Sequence, residues 1–177
     1  MKPVRRVVTG HNEQGLSTVI FDCAMPDIFG GGGMEDFAAQ GQLALAELWA
    51  TAVPSDNSGN QDSLRGGDFN LEPDPGSVMI RMVEIPPEPE GIARPGAGAQ
   101  SHPGFHTTQT TDIVIVMEGE IYAMLETGET LLQAGDVLIQ RGTNHAWSNR
   151  SGAPVKFAAI MINTKPTRSA GNPQVTA

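Results

Sequence analysis

His106, Thr108, Asp112 and His145 are the residues of this 177-residue chain whose types and spacing point most directly to chemistry. His106 and Thr108 stand two apart in the run "FHTTQ", and side chains two apart on an extended strand project from one face. Asp112 follows at the start of "DIVIVME", and His145 opens "HAWSN" after the turn at Gly142. In a closed barrel the inward residues of neighbouring strands converge, so groups distant in sequence meet around one point. Two imidazoles and a carboxylate with open positions form the facial donor set suited to Fe(II) and acceptable to Zn, Mn or Ni. One divalent transition metal on His106, Asp112 and His145 is therefore the cofactor expected. The competing reading makes both histidines polar fillers of a barrel mouth, hydrogen-bonded to Thr108 and Asp112.

The elements that must position these groups read as short strands. "VRRVV" and "LSTVIF", separated by "TGHNEQG", predict an N-terminal hairpin with a loop longer than two residues. "QLALAELWATA" reads as a strand rather than a short helix. "MPDIFGGGGMEDF" and "PSDNSGNQDSLRGGDFNLEPDPG" have loop compositions. The "GGGG" at 30–33 is read as a linker, because Glu35 and Asp36 would stand where a phosphate must sit. From Ser77 onward "SVMIRMVEI", "FHTTQ", "DIVIVME", "EIYAMLE", "VLIQ", "HAWSN" and "VKFAAIMI" succeed one another with turn residues and no helical pattern between them. That spacing predicts an all-β antiparallel fold, a jelly-roll barrel being the economical choice. The domain reading is an N-terminal β arm over 1–76, a barrel over 77–163 and a flexible tail over 164–177.

Other residues are candidates for the cavity wall. Tyr122 and Met124 share one strand face, as do His145, Trp147 and Asn149. Arg81, if it points inward with Met79 and Val83, would clamp an anionic substrate; if outward, Val78, Ile80 and Met82 are the core. Tyr122, Met124, Trp147, Arg81 and Thr108 are thus the expected substrate contacts. His102, in "SHPG", is a possible substitute ligand, although its Pro and Gly neighbours suggest a solvated loop. His11 reads as a surface residue. The single Cys23 excludes an internal disulfide, fits a reducing compartment and reads as a small buried hydrophobe.

At this point the sequence resembles the cupins. "HTTQTTDIVIVMEG" is similar to the latter part of their first motif, G-x5-H-x-H-x3-E-x6-G, with His106 on the first His, Thr108 on the second, Asp112 on the Glu and Gly119 on the final Gly. "GDVLIQRGTNHAWSN" is similar to their second, G-x5-P-x-G-x2-H-x3-N, placing Gly135, Gly142, His145 and Asn149. Gln140 stands in place of the Pro, and the first interval is one residue short. The resemblance implies a cupin-type barrel with a metal on its inner face. Two departures weaken that site: a neutral Thr108 hydroxyl is a poor ligand for a divalent transition metal, and Asp112 is one methylene shorter than Glu.

Composition narrows the rest. The 11 Lys and Arg against 20 Asp and Glu give a net charge of −9, which disfavours nucleic acid and anionic membranes as partners. Neither "IVIVM" nor "FAAIMI" is long enough to span a bilayer, and no signal peptide is read in "MKPVRRVVTGHNEQG", so a cytoplasmic protein is expected. The hairpin lacks an evident partner within a small barrel, so a homodimer is expected in which the N-terminal segment reaches the second chain. The functional expectation is a metal-dependent enzyme acting non-oxidatively, as a lyase, dehydratase, decarboxylase or isomerase, on a small, partly apolar or aromatic molecule. An Fe(II) oxygenase stands second and a non-catalytic binding module third.

Overall fold

The structure, a computed structural model, describes residues 1–25, 43–63, 70–89, 92 and 102–165. The expectations for the glycine run at 30–33, and for the tail from residue 166, lie outside the described residues. Within them every regular element is a strand, and no helix is long and apolar enough to cross a membrane. The strands are β1 (Val4–His11), β2 (Ser17–Met25), β3 (Ala44–Ala52), β4 (Ser77–Ile85), β5 (Thr110–Glu118), β6 (Glu120–Leu125), β7 (Gly128–Gln133), β8 (Val137–Arg141), β9 (His145–Ser148) and β10 (Val155–Asn163). All pairings are antiparallel.

Two sheets make the body, in the orders β3-β4-β10-β5-β8 and β7-β6-β9. Their facing sides follow from alternation. On β10, Val155, Phe157, Ala159 and Met161 are buried and the residues between them are half-buried. On β5, Val114 and Val116 meet this face, while Ile121, Ala123 and Leu132 supply the opposing layer. Burial of one side chain in each pair, at about 25 cal/mol per Å² of apolar surface, fixes the register, because a slip of one residue would invert every side chain. The result is a jelly-roll sandwich, as the strand spacing predicts.

The chain changes sheets at glycines with positive φ. Gly119 (φ 77°) joins β5 to β6, and Gly135 (φ 97°) joins β7 to β8. At Gly119 the backbone itself crowds the turn: an added Cβ would lie 3.0 Å from the Pro154 carbonyl oxygen and 3.1 Å from the Val155 Cα. A side chain there is excluded both by φ and by space.

Three element readings change. "FHTTQ" is not a strand; His106 makes an isolated antiparallel bridge to His145, and β5 begins only at Thr110, so Asp112 lies inside it. β7, "GETLLQ", is a strand without a clean alternation. β3 pairs with β4, so the five-stranded sheet reaches back to Ala44, within the stretch read as the arm. The β1–β2 hairpin forms as predicted, but it is tied to its own chain. Arg6 is buried and paired with Asp62, Asn60 accepts from the His11 amide and donates to its carbonyl, and the Met1 amine lies 3.3 Å from Glu84. Cys23, expected to be buried, is exposed on β2.

Candidate active site

The bridge between His106 and His145 brings the two histidines together. Each amide donates to the other's carbonyl, both at 2.9 Å, which sets the side chains opposite one another. The ring centroids lie 4.3 Å apart, with the planes tilted by 50°. Each Nδ1 faces a backbone carbonyl two residues earlier: His106 Nδ1 is 2.8 Å from the Gly104 oxygen, and His145 Nδ1 is 2.9 Å from the Thr143 oxygen. A carbonyl can only accept, so both Nδ1 atoms carry the proton. A ring protonated at Nδ1 alone keeps its lone pair on Nε2.

These rings line a cavity of about 100 Å³ together with Arg81, Thr108, Asp112 and Trp147. Its remaining wall is apolar, including Leu45, Val83, Val114, Phe157 and Met161. Trp147 stacks obliquely on Phe157 at 5.2 Å and receives the His145 ring edge-on at 5.8 Å. Thr108, Thr110 and Asp112 follow at intervals of two on one face, and all three are buried. The Thr110 hydroxyl donates to Thr108 Oγ1 at 2.7 Å.

Burial governs the charges. The His145 pKa is pushed down to about 4, first by desolvation and then by His106, with the Thr143 carbonyl opposing. Asp112 moves the other way: desolvation raises its pKa, while the Thr110 hydroxyl, His106 and Arg81 partly offset this and Glu72 adds to it. Its Oδ1 is buried without a hydrogen-bond partner among the described residues.

Arg81 points into the cavity, the inward alternative of the two read from the sequence. Its guanidinium is already engaged, at 2.8 Å from Glu47 Oε1 and 2.8 Å from the Leu71 carbonyl, with a further bond to the Asn70 carbonyl. Glu47 is its register partner across β3 and β4. The charge expected to clamp an anion is therefore met within the protein.

Tyr122 and Met124 do not line the cavity, which corrects the expectation for both. Ile121 and Ala123 take the inward face of β6, leaving Tyr122 beneath the Arg150 guanidinium at 4.2 Å and the Met124 sulfur 3.7 Å from Arg150 Nη2. His102 is corrected likewise: it is buried, not solvated. Its Nε2 lies 2.9 Å from Glu88 and its Nδ1 accepts from the Gly104 amide. Ser148 donates to the other Glu88 oxygen, so His102 belongs to a network outside the cavity.

Two motif positions have structural rather than chemical work. Asn149 is fully buried; its amide donates to the Ile85 and Ala153 carbonyls while its oxygen accepts from the Ser151 amide and hydroxyl. Gln140, in the position of the motif proline, donates to the Thr143 hydroxyl and to its carbonyl, bracing the turn that carries His145. Sequence reasoning missed Thr110 and Glu47. Thr110 was accessible from the two-residue spacing that singles out Thr108, whereas Glu47 required the β3–β4 register.

The residues present can be tested against a metal. Anchoring Nδ1 on a carbonyl and aiming Nε2 at open space is the arrangement that orients metal-ligating imidazoles, and the neutral state of His145 suits a ligand. Among the described residues no three His, Cys, Asp or Glu side chains form a group able to hold an ion. Asp112 lines the same cavity, with its orphaned oxygen, but stands apart from the imidazole pair. The described residues thus offer two imidazole donors at one cavity, His106 and His145, with no third ligand gathered beside them.

Comparison with known proteins gives the following likenesses. The cupin domain family model matches residues 92–162. Phomopsin biosynthesis cluster protein C' of Diaporthe leptostromiformis is 32% identical over 175 residues, covering 94% of this chain and 82% of that protein. The cupin-domain-containing oxidoreductase srdD of Neurospora crassa is 28% identical over 174 residues, covering 93% and 78%. The Schizosaccharomyces pombe Cnp3 cupin domain aligns over 90% of this chain and 88% of that one, at 13% identity and a TM-score of 0.48. With both sequence motifs, the jelly-roll sheets and the paired histidines at its inner face, this chain belongs to the cupin superfamily.

Proposed function

We propose that the chain is an enzyme that transforms a small, mostly apolar organic molecule without oxidising it, using a divalent metal on His106 and His145. The observation that carries this reading is the imidazole pair, each ring fixed by a carbonyl and each Nε2 open to an apolar cavity. When bound, such an ion supplies Lewis acidity to a carbonyl or carboxylate oxygen. The protein's own groups do the rest. Gly104 and Thr143 hold the tautomers. Asp112, whose neutral form is favoured by burial, lines the same cavity and serves as proton donor or acceptor. Trp147 and Phe157 give an aromatic wall against which an apolar group can pack. At about 100 Å³ the space favours a compact substrate, since an apolar cavity of about 150 Å³ accommodates benzene. Lyase, dehydratase, decarboxylase and isomerase chemistry all fit this combination. An oxidoreductase is the second reading, supported by the name of the Neurospora crassa relative.

Metal content of the purified full chain tests the site. His145→Ala should lower it sharply, Thr108→Ala should change it little, and Thr108→His should raise it, because that ring would join the face that carries the cavity. Content near zero in both the native protein and Thr108→His would overturn the metal reading and leave a metal-free binding module.

A further inference from the structure

The outer face of the five-stranded sheet, turned away from the cavity, carries two apolar rows set by the register. Ile139 of β8, Ile113 of β5 and Ile160 of β10 are cross-strand partners in one row. Val137, Ile115 and Ala158 are partners in the next. Val137 and Ile139 are 55% and 52% exposed, and the other four are half-buried. Towards β3 the same face is closed: Met82 and Ala46, which continue the second row, are buried, and Val8 and Ile20 of the hairpin share a cavity with Trp49 of β3. The hairpin thus serves one side of the face and leaves the β10–β5–β8 side open.

Adjacent isoleucine and valine rows at sheet spacing make a flat, continuous patch, which is the kind of surface that associates in water. Its charges lie at opposite ends. Arg141 closes β8 at one end; Glu118, in register with Lys156, and Asp136 stand at the other. Arg141 and Glu118 are exposed and have no ion-pair partner among the described residues. We infer that this face is the interface of a twofold homodimer in which the β10–β5–β8 faces of two copies pack together. A twofold axis running across the strands between the two rows seats Ile160 of each copy over Ala158 of the other, large against small. The same operation carries Arg141 of each copy to the acidic end of the second. Such an isologous contact closes on itself and uses both charges, which a partner with a uniformly charged surface would not.

Sedimentation of the full chain across the micromolar range should show a dimer. Ile139→Glu places a charge in the patch at a side chain already half exposed, so the sheet should fold and the dimer should dissociate. Ile139→Thr, which keeps β-branching, should weaken it about tenfold. Arg141→Glu should also weaken association, and adding Glu118→Arg to it should restore the dimer, because the twofold exchanges the two ends. A monomeric native chain throughout that range, or a dimer indifferent to Ile139→Glu and Ile139→Thr, would overturn the inference. A dimer lost with the isoleucine variants but not restored by the charge exchange would overturn the twofold orientation.

Discussion

Asp112 and His145 share one cavity, yet burial drives them in opposite directions, and this gives metal-free protein a pH signature. The folded His145 pKa lies near 4, below the ordinary 6.5, so between these values the unfolded chain binds the proton and the folded chain does not. Stability from this group is complete above 6.5 and is lost as pH falls towards 4, by at most about 3 kcal/mol. Asp112 has a raised folded pKa, so its contribution is present at low pH and is lost as pH rises through that value. The two oppose each other on acidification. Asp112→Asn removes the second, and so should lose more stability than the native chain between neutral pH and about pH 4.5. Urea midpoints for both proteins at the two pH values test this; equal or smaller loss in the variant would contradict the assignment.

At the scale of elements, the turns between sheets decide where the functional strands begin. Gly119 and Gly135 both have positive φ, but only Gly119 has backbone within about 3 Å of the absent Cβ, whereas nothing lies within 4 Å at Gly135. Gly135→Ala should cost about 1–2 kcal/mol from conformation alone, and Gly119→Ala should cost clearly more because the Pro154–Val155 backbone must shift. Thermal unfolding of the two variants gives the order directly.

The strands with regular alternation, β5 and β10, were legible in the sequence because one face meets the core at every second residue, whereas β4, with Arg81, Met82 and Val83 all buried, was legible as a strand but not in its inward face. β7 was not: Leu131 is 38% exposed beside the buried Leu132, so its pattern lacks a consistent apolar face. The spacing of His106 and Thr108 suggested a strand where the chain makes a single bridge, since two residues on one face do not require a ladder. Tyr122 and Met124 could not be assigned from alternation alone, as both faces of β6 carry apolar residues. The motif histidines were found because their chemistry is local; the commitments of Arg81 to Glu47 and of His102 to Glu88 were not, because they depend on tertiary pairing.

Over the whole molecule, the four histidines occupy three environments: His11 is exposed on the hairpin, His102 has its Nε2 beside Glu88, and His106 and His145 present Nε2 to the cavity. The carbonyl anchors on Nδ1 therefore do more than orient the rings. They leave each ring of the pair a single nucleophilic nitrogen, accessible from the cavity, so acylation by diethyl pyrocarbonate becomes a measure of occupancy. His11 should react at the same rate whether or not a ligand is present and serves as the internal standard. Compounds that fill the cavity should slow labelling of His106 and His145 in peptide mass maps, whereas compounds bound elsewhere should not. The protein thus carries its own footprinting reagent site, and candidate substrates can be ranked before any reaction has been observed.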